Sequence, residues 1–255
     1  MQIATWNVNS LKVRLEQLLG WLREDVPDVV CLQETKLDDP KFPVEEIEAA
    51  GYQVVFSGQK TYNGVAIVSR TPCADVVRGI PGYSDEQKRV IAATIGSIRV
   101  VDAYVPNGQS VDSDKYRYKL DWLAAFSTWL AEDLARHPET VVVGDFNIAP
   151  EPRDVHDPKA WEGKVLFSEP EREAFQSLIG LGFVDSFRLF DQPEKSFTWW
   201  DYRLNAFKRG MGLRIDHILL SPALAKRCQN VSVIKDMRAL ERPSDHAPVV
   251  AEIAC

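Results

Sequence analysis

Short apolar runs separated by polar stretches extend along the whole chain, and seven of them have the length and composition of β-strands. They are rich in β-branched residues and end at turn-forming or polar residues, which is typical of strands. Because nearly every position within them is apolar, we expect most of these strands to be buried on both faces. The predicted strands cover residues 3–6, 29–32, 64–68, 98–104, 141–143, 215–220 and 249–253.

Residues 11–21 and 118–134 carry apolar residues at spacings of three and four, and a third predicted helix covers residues 168–179. This spacing is the pattern of an amphipathic helix. The third segment begins with Ser168, three residues before Glu171, and has Pro170 in its first turn, a combination typical of a helix start. Many strands with few helices favour two packed β-sheets with helices outside over one doubly wound sheet.

No repeat, low-complexity tract or flexible linker divides the 255 residues, so we expect a single domain over residues 1–255. No apolar run approaches the roughly 18 residues that cross a bilayer, and the first residues lack the pattern of a secretory signal. The four cysteines are far apart, without a Cys-x-x-Cys pair. We therefore expect a cytoplasmic protein with reduced thiols and no membrane partner.

Charge limits the kind of surface that the protein can present. Thirty Lys and Arg residues stand against 37 Asp and Glu residues, a formal net charge of −7, which argues against a uniformly cationic surface for nucleic acid. A polyanion could still bind locally, because a metal ion held by several carboxylates inverts the local charge.

Polar groups at the strand ends distinguish this sequence from a generic α/β domain. A single Asp or Asn in a loop usually caps a turn, but six such groups adjoin the apolar runs, and together they indicate a shared site. Oxygen-rich ligand sets suit a hard divalent ion such as Mg²⁺ or Mn²⁺. The six groups contain Asn7, Glu34, Asn107, Asp145 with Asn147, Asp216, and Asp245 with His246.

Two of these groups have a spacing that favours a shared cavity. Asp145 and Asn147 alternate along an extended segment, so both side chains can face one side while Phe146 faces the other. Asp245 and His246 offer a carboxylate and an imidazole side by side. The candidate metal-binding residues are Asn7, Glu34, Asp145, Asn147, Asp245 and His246.

Several other catalytic patterns are absent from the sequence. It contains no Gly-x-Ser-x-Gly, no His-Glu-x-x-His, no Walker A loop and no cysteine cluster. These patterns are typical of α/β-hydrolases, zinc proteases, P-loop enzymes and structural zinc sites. Their absence argues against those classes and leaves oxygen-ligated metal chemistry as the better interpretation.

Seven motifs follow one another along the chain: Trp6-Asn7-Val8-Asn9, Leu32-Gln33-Glu34-Thr35, Gly64-Val65-Ala66, Tyr104-Val105-Pro106-Asn107-Gly108, Gly144-Asp145-Phe146-Asn147, Leu213-Arg214-Ile215-Asp216 and Ser244-Asp245-His246. In order, they resemble the motifs of the exonuclease III family of DNA repair nucleases, over nearly the whole chain. Several are shared with the wider superfamily of DNase I-like nucleases, inositol-phosphate phosphatases and sphingomyelinases. The motif at 104–108 and Trp-Trp-Asp-Tyr-Arg at 199–203 are narrower and indicate the exonuclease III family itself.

The resemblance implies a four-layer α/β sandwich, in which two packed mixed β-sheets are flanked by helices and the site lies at one end. It also implies Mg²⁺-dependent cleavage of phosphodiesters in duplex DNA, at abasic sites and at blocked or ordinary 3′ ends, with Mn²⁺ as an alternative ion. We expect the protein to be a monomer.

The resemblance also implies a role for each strand-end residue. Glu34 becomes the principal metal ligand, with Asn7 and Asp245 near the ion or its waters. Asp145 becomes the proton-transfer residue. The other catalytic positions are Tyr104, Asn147 and His246, which contact or neutralise the scissile phosphate, and Asp216, which orients the imidazole. Asn107 also contacts this phosphate, as a substrate-binding residue.

The segment 199–214 mixes aromatic and basic residues and has no acidic residue between Asp201 and Asp216. We interpret it as part of a DNA-binding surface, although each aromatic residue taken singly is equally well explained as part of the core. The cations would contact phosphates, and Trp200 would pack against the lesion or terminal nucleotide. The predicted substrate-binding residues are Asn107, Trp200, Arg203, Lys208, Arg209 and Arg214.

Two other functions compete with this interpretation. One is an enzyme of the same fold that acts on a lipid headgroup, an inositol phosphate or another phosphate ester outside nucleic acids. The other is a non-catalytic DNA-binding or scaffold protein, which would be expected to lack Glu34, Asp145 or His246, and all three are present. Residues 151–166 follow the family less closely, so the balance among abasic-site endonuclease, 3′ exonuclease and 3′ phosphatase activities stays open.

Overall fold

The computed structural model describes residues 1–254, which form twelve β-strands and six α-helices. The strands are β1 Gln2–Asn7, β2 Val29–Gln33, β3 Gln53–Ser57, β4 Val65–Ser69, β5 Cys73–Arg78, β6 Val90–Ile95, β7 Ile98–Tyr104, β8 Thr140–Asp145, β9 Val184–Asp185, β10 Asp216–Leu220, β11 Cys228–Val233 and β12 Val249–Ile253. The helices are α1 Leu11–Glu24, α2 Val44–Ala49, α3 Asp114–Arg136, α4 Pro158–Trp161, α5 Glu169–Gly180 and α6 Pro222–Ala225.

The strands form two six-stranded mixed sheets. The first has the order β11-β12-β1-β2-β4-β3 and the second has the order β5-β6-β7-β8-β10-β9. Each sheet contains one parallel pair, β1 with β2 and β7 with β8, and each of these pairs is connected by a helix, α1 or α3. The apolar core between the sheets is built from both of them, with Ile3 and Val65 from the first and Val100 and Val143 from the second.

Helices cover the outer face of each sheet and complete four layers. Helix α1 buries Leu18 and Leu22 against Trp6 of the first sheet, whereas α3 buries Trp122 and Phe126 against the second sheet together with α5. Burial of these stripes supplies the hydrophobic stabilisation of the helices. The four-layer α/β sandwich predicted from the sequence is therefore confirmed.

All seven predicted strands and all three predicted helices are present. Helix α5 has the expected capping box, in which Ser168 and Glu171 satisfy each other's backbone N–H groups. Five strands were not predicted, and four of them, β3, β5, β9 and β11, lie at sheet edges. Edge strands are partly exposed, so they lack the continuous apolar run that marks the central strands.

The strand directions bring the polar strand ends to one end of the sandwich. β1, β2, β7 and β8 all terminate there, while β10 and β12, which run antiparallel to their neighbours, begin there. Gly144 lies in β8 just before Asp145, with a φ of +145°, and a Cβ on it would lie 1.9 Å from the carbonyl oxygen of Ala103. The close approach of β7 and β8 at this end therefore requires glycine.

Candidate active site

Asn7 connects the two sheets at the centre of this end. It is fully buried, and its Nδ2 donates to Glu34 Oε1 and to Asp145 Oδ2, both at 2.9 Å. Its Oδ1 accepts the backbone N–H of Asn9 at 2.9 Å. Because Glu34 follows β2 of the first sheet and Asp145 ends β8 of the second, one carboxamide fixes the two carboxylates relative to each other.

Asp145, Asp216 and His246 form a buried cluster beside Asn7. Asp216 lies opposite Asp145 in the ladder between β10 and β8, and its carboxylate accepts from His246 Nδ1 at 2.9 Å. His246 Nε2 lies 3.7 Å from Asp145 Oδ2. Burial alone would lower the pKa of His246, but the carboxylates of Asp216 and Asp145 raise it well above its ordinary value. The imidazole is therefore a cation at neutral pH.

The Asp145 carboxyl is more basic than an ordinary Asp. Burial raises its pKa; the positive charge of His246 opposes this rise, and the charge of Asp216 adds to it. Its Oδ1 accepts the backbone N–H of Asn147 at 2.9 Å. A buried carboxyl with a raised pKa next to hydrogen-bond donors is suited to accept or release a proton near neutral pH.

Two asparagines and one tyrosine border Asp145 on the side of the second sheet. Asn107 Nδ2 donates to Asn147 Oδ1 at 3.0 Å, and Asn147 Nδ2 donates to the carbonyl oxygen of Val105 at 3.0 Å. Tyr104 lies opposite Asp145 in the β7–β8 ladder. Burial and the charge of Glu34 hold the pKa of the Tyr104 hydroxyl well above its ordinary value, so this hydroxyl remains a donor at neutral pH.

Asp245 is held on the opposite side of the site as a carboxylate. Its Oδ1 accepts from Asn9 Nδ2 at 2.9 Å and its Oδ2 accepts from Trp199 Nε1 at 3.0 Å. Burial opposes ionisation, but the positive charge of His246 and the Trp199 hydrogen bond lower the pKa of Asp245 below its ordinary value. The aromatic residue that reaches the site is therefore Trp199, which the sequence interpretation did not include among the substrate-binding residues.

The donor set fits a hard divalent cation. Glu34 and Asp245 offer carboxylate oxygens, and the Lys36 ammonium contacts Glu34 Oε2 at 2.9 Å and Asn9 Oδ1 at 2.5 Å. A cationic group already compensates the Glu34 charge there, and no thiolate takes part, which is the chemistry that Mg²⁺ and Mn²⁺ select. Ligand atoms of Asp145, Asp216 and His246 also come within 4.8 Å of one another. While His246 is protonated, however, it has no lone pair to offer a metal.

Two of the predicted DNA-contacting residues are buried. Arg214 is 1% exposed, and its guanidinium is bonded to Asp154, Asp185 and His217. Burial of an unpaired charge is costly, so this arginine is part of an internal ion-pair network and cannot contact a phosphate. Its prediction as a substrate-binding residue is wrong.

Trp200 is also buried, at 3% exposure, and its ring meets that of Phe207 edge to face at 5.0 Å. It leaves no open face on which a nucleotide could stack, so its prediction as a substrate-binding residue is wrong as well. The other three basic residues of this segment, Arg203, Lys208 and Arg209, are exposed.

A cleft of about 740 Å³ opens beside Tyr104 and Asn107. Arg89 and Lys115 line it, together with three tyrosines and several amide side chains, and none of its lining residues is acidic. Arg89 also lies over the Tyr104 ring at 4.7 Å. The sequence interpretation did not include these two cations, which are far from segment 199–214 in the chain and are brought beside Tyr104 and Asn107 only by the fold.

Comparison with known proteins identifies the family. The profile of the Endonuclease/Exonuclease/phosphatase family matches residues 4–246, a range that includes Asn7, Glu34, Asp145, Asp216 and His246. The chain belongs to this family. Within the Endonuclease/Exonuclease/phosphatase family, it is 38% identical to the exodeoxyribonuclease III of Haemophilus influenzae, over 99% of both chains.

Two solved structures of this family superimpose closely on the chain. One is the 3′ phosphatase NExo from Neisseria bound to a product DNA hairpin, with a TM-score of 0.99, 49% identity and complete coverage of both chains. The other is an AP endonuclease from Archaeoglobus fulgidus, with a TM-score of 0.96, 42% identity and complete coverage of both chains. The resemblance to exonuclease III noted in the sequence is confirmed.

Proposed function

We propose that this member of the Endonuclease/Exonuclease/phosphatase family is a metal-dependent DNA repair nuclease. It would hydrolyse phosphate esters at abasic sites and at the 3′ ends of duplex DNA, as a 3′ exonuclease and 3′ phosphatase. The observation that carries this proposal is the position of Asp145, which is bonded to Asn7 on one side and lies beside the buried Asp216–His246 pair on the other.

The proposed mechanism follows from the charges around Asp145. Hydrolysis of a phosphodiester adds negative charge at phosphorus and needs a group that transfers a proton. The His246 imidazolium, oriented by Asp216, is the cationic donor for the phosphate oxygens. Tyr104 and Asn107 add neutral donors on the other side. Asp145, with its raised pKa, is the proton-transfer residue.

A divalent cation would be held by Glu34, with Asn7 and Asp245 nearby, and we propose Mg²⁺, with Mn²⁺ as the alternative. When bound, such an ion neutralises phosphate charge and lowers the pKa of a coordinated water. Lys36, which lies at 2.9 Å from Glu34 Oε2, would be displaced from that oxygen or share it. The donor chemistry supports a hard cation.

Duplex DNA fits the positive charge on both sides of the site. The cleft that borders Tyr104 and Asn107 presents the exposed cation Lys115, whereas Arg89 is buried in its wall. The exposed Arg203, Lys208 and Arg209 lie in segment 199–214. The backbone N–H of Trp200 donates to the Asp245 carbonyl oxygen at 3.0 Å and so holds this segment beside the site. Flanking cations of this kind can neutralise phosphates on either side of a cleaved bond.

Names of similar proteins support the choice of DNA over a small phosphate ester. The Neisseria structure is described as a 3′ phosphatase with a product DNA hairpin, and the Archaeoglobus fulgidus structure as an AP endonuclease. An enzyme for another phosphate ester would need a pocket for one small headgroup, whereas the two basic regions flank the site.

We also propose that the chain is one domain and acts as a monomer in the cytoplasm. Free thiols at Cys31, Cys73 and Cys228 support a reducing compartment. Within residues 1–254, no helix is long and apolar enough to cross a membrane.

The deciding experiment uses three DNA duplexes and two variants. The duplexes carry an abasic site, a 3′ phosphate or a recessed 3′ end, and each is incubated with the protein and Mg²⁺. Asp145→Asn should abolish cleavage of all three, whereas Asp121→Asn, which alters an exposed carboxylate on α3, should leave it unchanged. Release of phosphate from an inositol phosphate, without cleavage of any duplex, would favour the alternative function.

A further inference from the structure

Lys119 of α3 is a fully buried lysine beneath the phosphate-facing side of the site. Its Nζ donates to the carbonyl oxygen of Asn147 at 2.6 Å and to that of Asn107 at 3.3 Å, and it forms an ion pair with Glu171. A lysine ammonium has three N–H donors. All three therefore have an acceptor, and two of these acceptors are backbone groups of residues in the site.

These two carbonyls belong to residues whose side chains bond to each other. Asn107 Nδ2 donates to Asn147 Oδ1, and the Asn147 N–H donates to Asp145 Oδ1. Asn147 also has a φ of +51°, a left-handed conformation that asparagine adopts more readily than most residues with a Cβ. A hydrogen bond to its carbonyl from a buried cation stabilises this conformation.

The ammonium is itself held by a rigid support. Glu171 of α5 accepts from Lys119 and from the backbone N–H of Leu166 at 3.0 Å, and it also forms the capping box with Ser168. Gly108, at a φ of +93°, lies directly over the lysine, since a Cβ on it would meet Lys119 Cδ at 3.2 Å. Gly108 therefore packs against the lysine side chain.

From these contacts we propose that Lys119 is a positioning residue for hydrolysis. It holds the backbones of Asn107 and Asn147 so that the Asn107 amide and the Asp145 carboxylate keep their places at the phosphate. The proposal rests on the proposed function, because it assigns Lys119 to the same site. Lys119 does not contact substrate and acts only through its two backbone acceptors.

The same helix contains a second buried ion pair that serves as a matched control. Asp133 of α3 pairs with Arg99 at 3.2 Å, and Arg99 also donates to the carbonyl oxygen of Asp75 at 2.8 Å. Asp133 lies fourteen residues beyond Lys119, about 21 Å along the helix. Arg99 lies in β7, so Arg99→Met removes the buried cation that pairs with Asp133 of α3 without touching the site.

The kinetic test compares Lys119→Met with Arg99→Met on the 3′-phosphate duplex. Misplacement of reacting groups by about 1 Å costs about 10²-fold in rate, so Lys119→Met should lower kcat by about that factor and change KM little. Arg99→Met should lower the melting temperature to a similar extent and leave kcat unchanged. Equal kcat values for the two variants would overturn the proposal.

Lys119→Arg covers the case in which Lys119→Met does not fold. The guanidinium keeps the charge opposite Glu171, but its planar donors cannot point to the same three acceptors. We expect this variant to fold and to lose about tenfold in kcat. Wild-type kcat in a folded Lys119→Arg protein would contradict a positioning role.

A double-mutant cycle identifies the route by which Lys119 acts. If it acts through Asn107 and Asn147, Lys119→Met in an Asn107→Ala background should cost much less than in the wild type. Fully multiplicative effects of the two substitutions would show that Lys119 does not act through Asn107.

A spectroscopic readout keeps this proposal separate from the proposed function. In ¹H–¹⁵N spectra, the Asn107 side-chain amide and the Asn147 backbone amide should shift in Lys119→Arg and stay in place in Arg99→Met. This result needs no activity. Unshifted amides would refute positioning by Lys119, whereas shifted amides in a protein whose wild type cleaves no DNA would refute only the proposed function.

Discussion

Asp145 and Asp216 lie directly opposite each other on antiparallel strands, and His246 is bonded to Asp216 at 2.9 Å while its other ring nitrogen is 3.7 Å from Asp145. Two buried carboxylates on neighbouring strands would repel each other if nothing compensated their charge. The His246 imidazolium supplies that compensation. The negative charge of Asp216 therefore raises both the pKa of Asp145 and the pKa of His246.

Asp216→Asn tests this coupling through the pH dependence of turnover. Asp216 is the main group that raises the pKa of His246, and it also adds to the raised pKa of Asp145. Without its charge both pKa values should fall. The acidic limb, where Asp145 must be ionised, and the alkaline limb, where His246 must stay protonated, should then both move to lower pH. We also expect about 10²-fold slower turnover.

The measurement is kcat against pH for the variant, with Asp121→Asn as control. Limbs that stay in place while turnover falls would show that Asp216 acts sterically and not through its charge.

Lys208 and Arg209 should contribute to DNA affinity through phosphate contacts alone. Each neutralised phosphate contributes about 0.9 to the slope of log affinity against log salt. Replacing both residues by Ala should therefore make this slope shallower by about 1.8 and weaken binding to all DNA sequences alike.

Binding is measured over a salt titration with Ca²⁺ in place of Mg²⁺. Arg23→Ala with Arg70→Ala removes the same charge from the opposite end of the sandwich and should not alter the slope. An equal change in both double variants would mean that only net charge matters.

Arg214→Ala should destabilise the fold instead of weakening DNA contacts directly. The substitution leaves Asp154 and Asp185 buried without their main partner, and breaking a buried ion pair costs about 3–5 kcal/mol. Urea unfolding of Arg214→Ala and Lys208→Ala compares the loss of a buried cation with the loss of an exposed cation in the same segment. A free energy of unfolding for Arg214→Ala within error of the wild type would contradict the internal role.

His217 should make the fold sensitive to acid. It is buried between Arg214, which donates to Nδ1, and the Ile148 carbonyl, which accepts from Nε2. Burial and the charge of Arg214 lower its pKa to about 4. In the unfolded chain the ordinary value is about 6.5. Because the unfolded state binds the proton first, stability is lost as pH falls from about 6.5 to about 4.

Between pH 7.5 and pH 5 this single group should cost the wild type about 2 kcal/mol. His217→Asn keeps an acceptor near Arg214 but cannot be protonated, so its unfolding free energy should fall by less over the same interval. Parallel pH dependences for the two proteins would rule out His217 as the source.

Chelation should stop DNA cleavage, and Mg²⁺ should restore it. Glu34→Gln weakens the carboxylate set that would hold the ion, so it should need a higher Mg²⁺ concentration for half-maximal activity than wild type or Glu173→Gln, which alters an exposed residue. Cleavage at the wild-type rate in excess EDTA would refute the metal requirement.

All the central strands except β6, the main helices and the chemical identity of the site could be predicted from the sequence. Apolar periodicity is a local property, and polar residues such as Asn7 and Asp145 stand at strand ends, where the chain leaves the core. Likewise, Ser168 and Glu171 are three residues apart and form their capping box within one helix turn. Such features depend on neighbours in the chain and on little else.

Only the tertiary structure decided which polar and aromatic side chains are exposed. Arg214 pairs with Asp154, 60 residues away in the chain, and Lys119 pairs with Glu171, 52 residues away. Neither partner can be inferred from the local sequence. Trp199 and Trp200 are adjacent, yet the first reaches Asp245 and the second is buried. Alternation places neighbouring side chains on opposite faces, and Trp199 pairs with Leu213 and with His246, so these distant segments decide which of the two side chains meets the site.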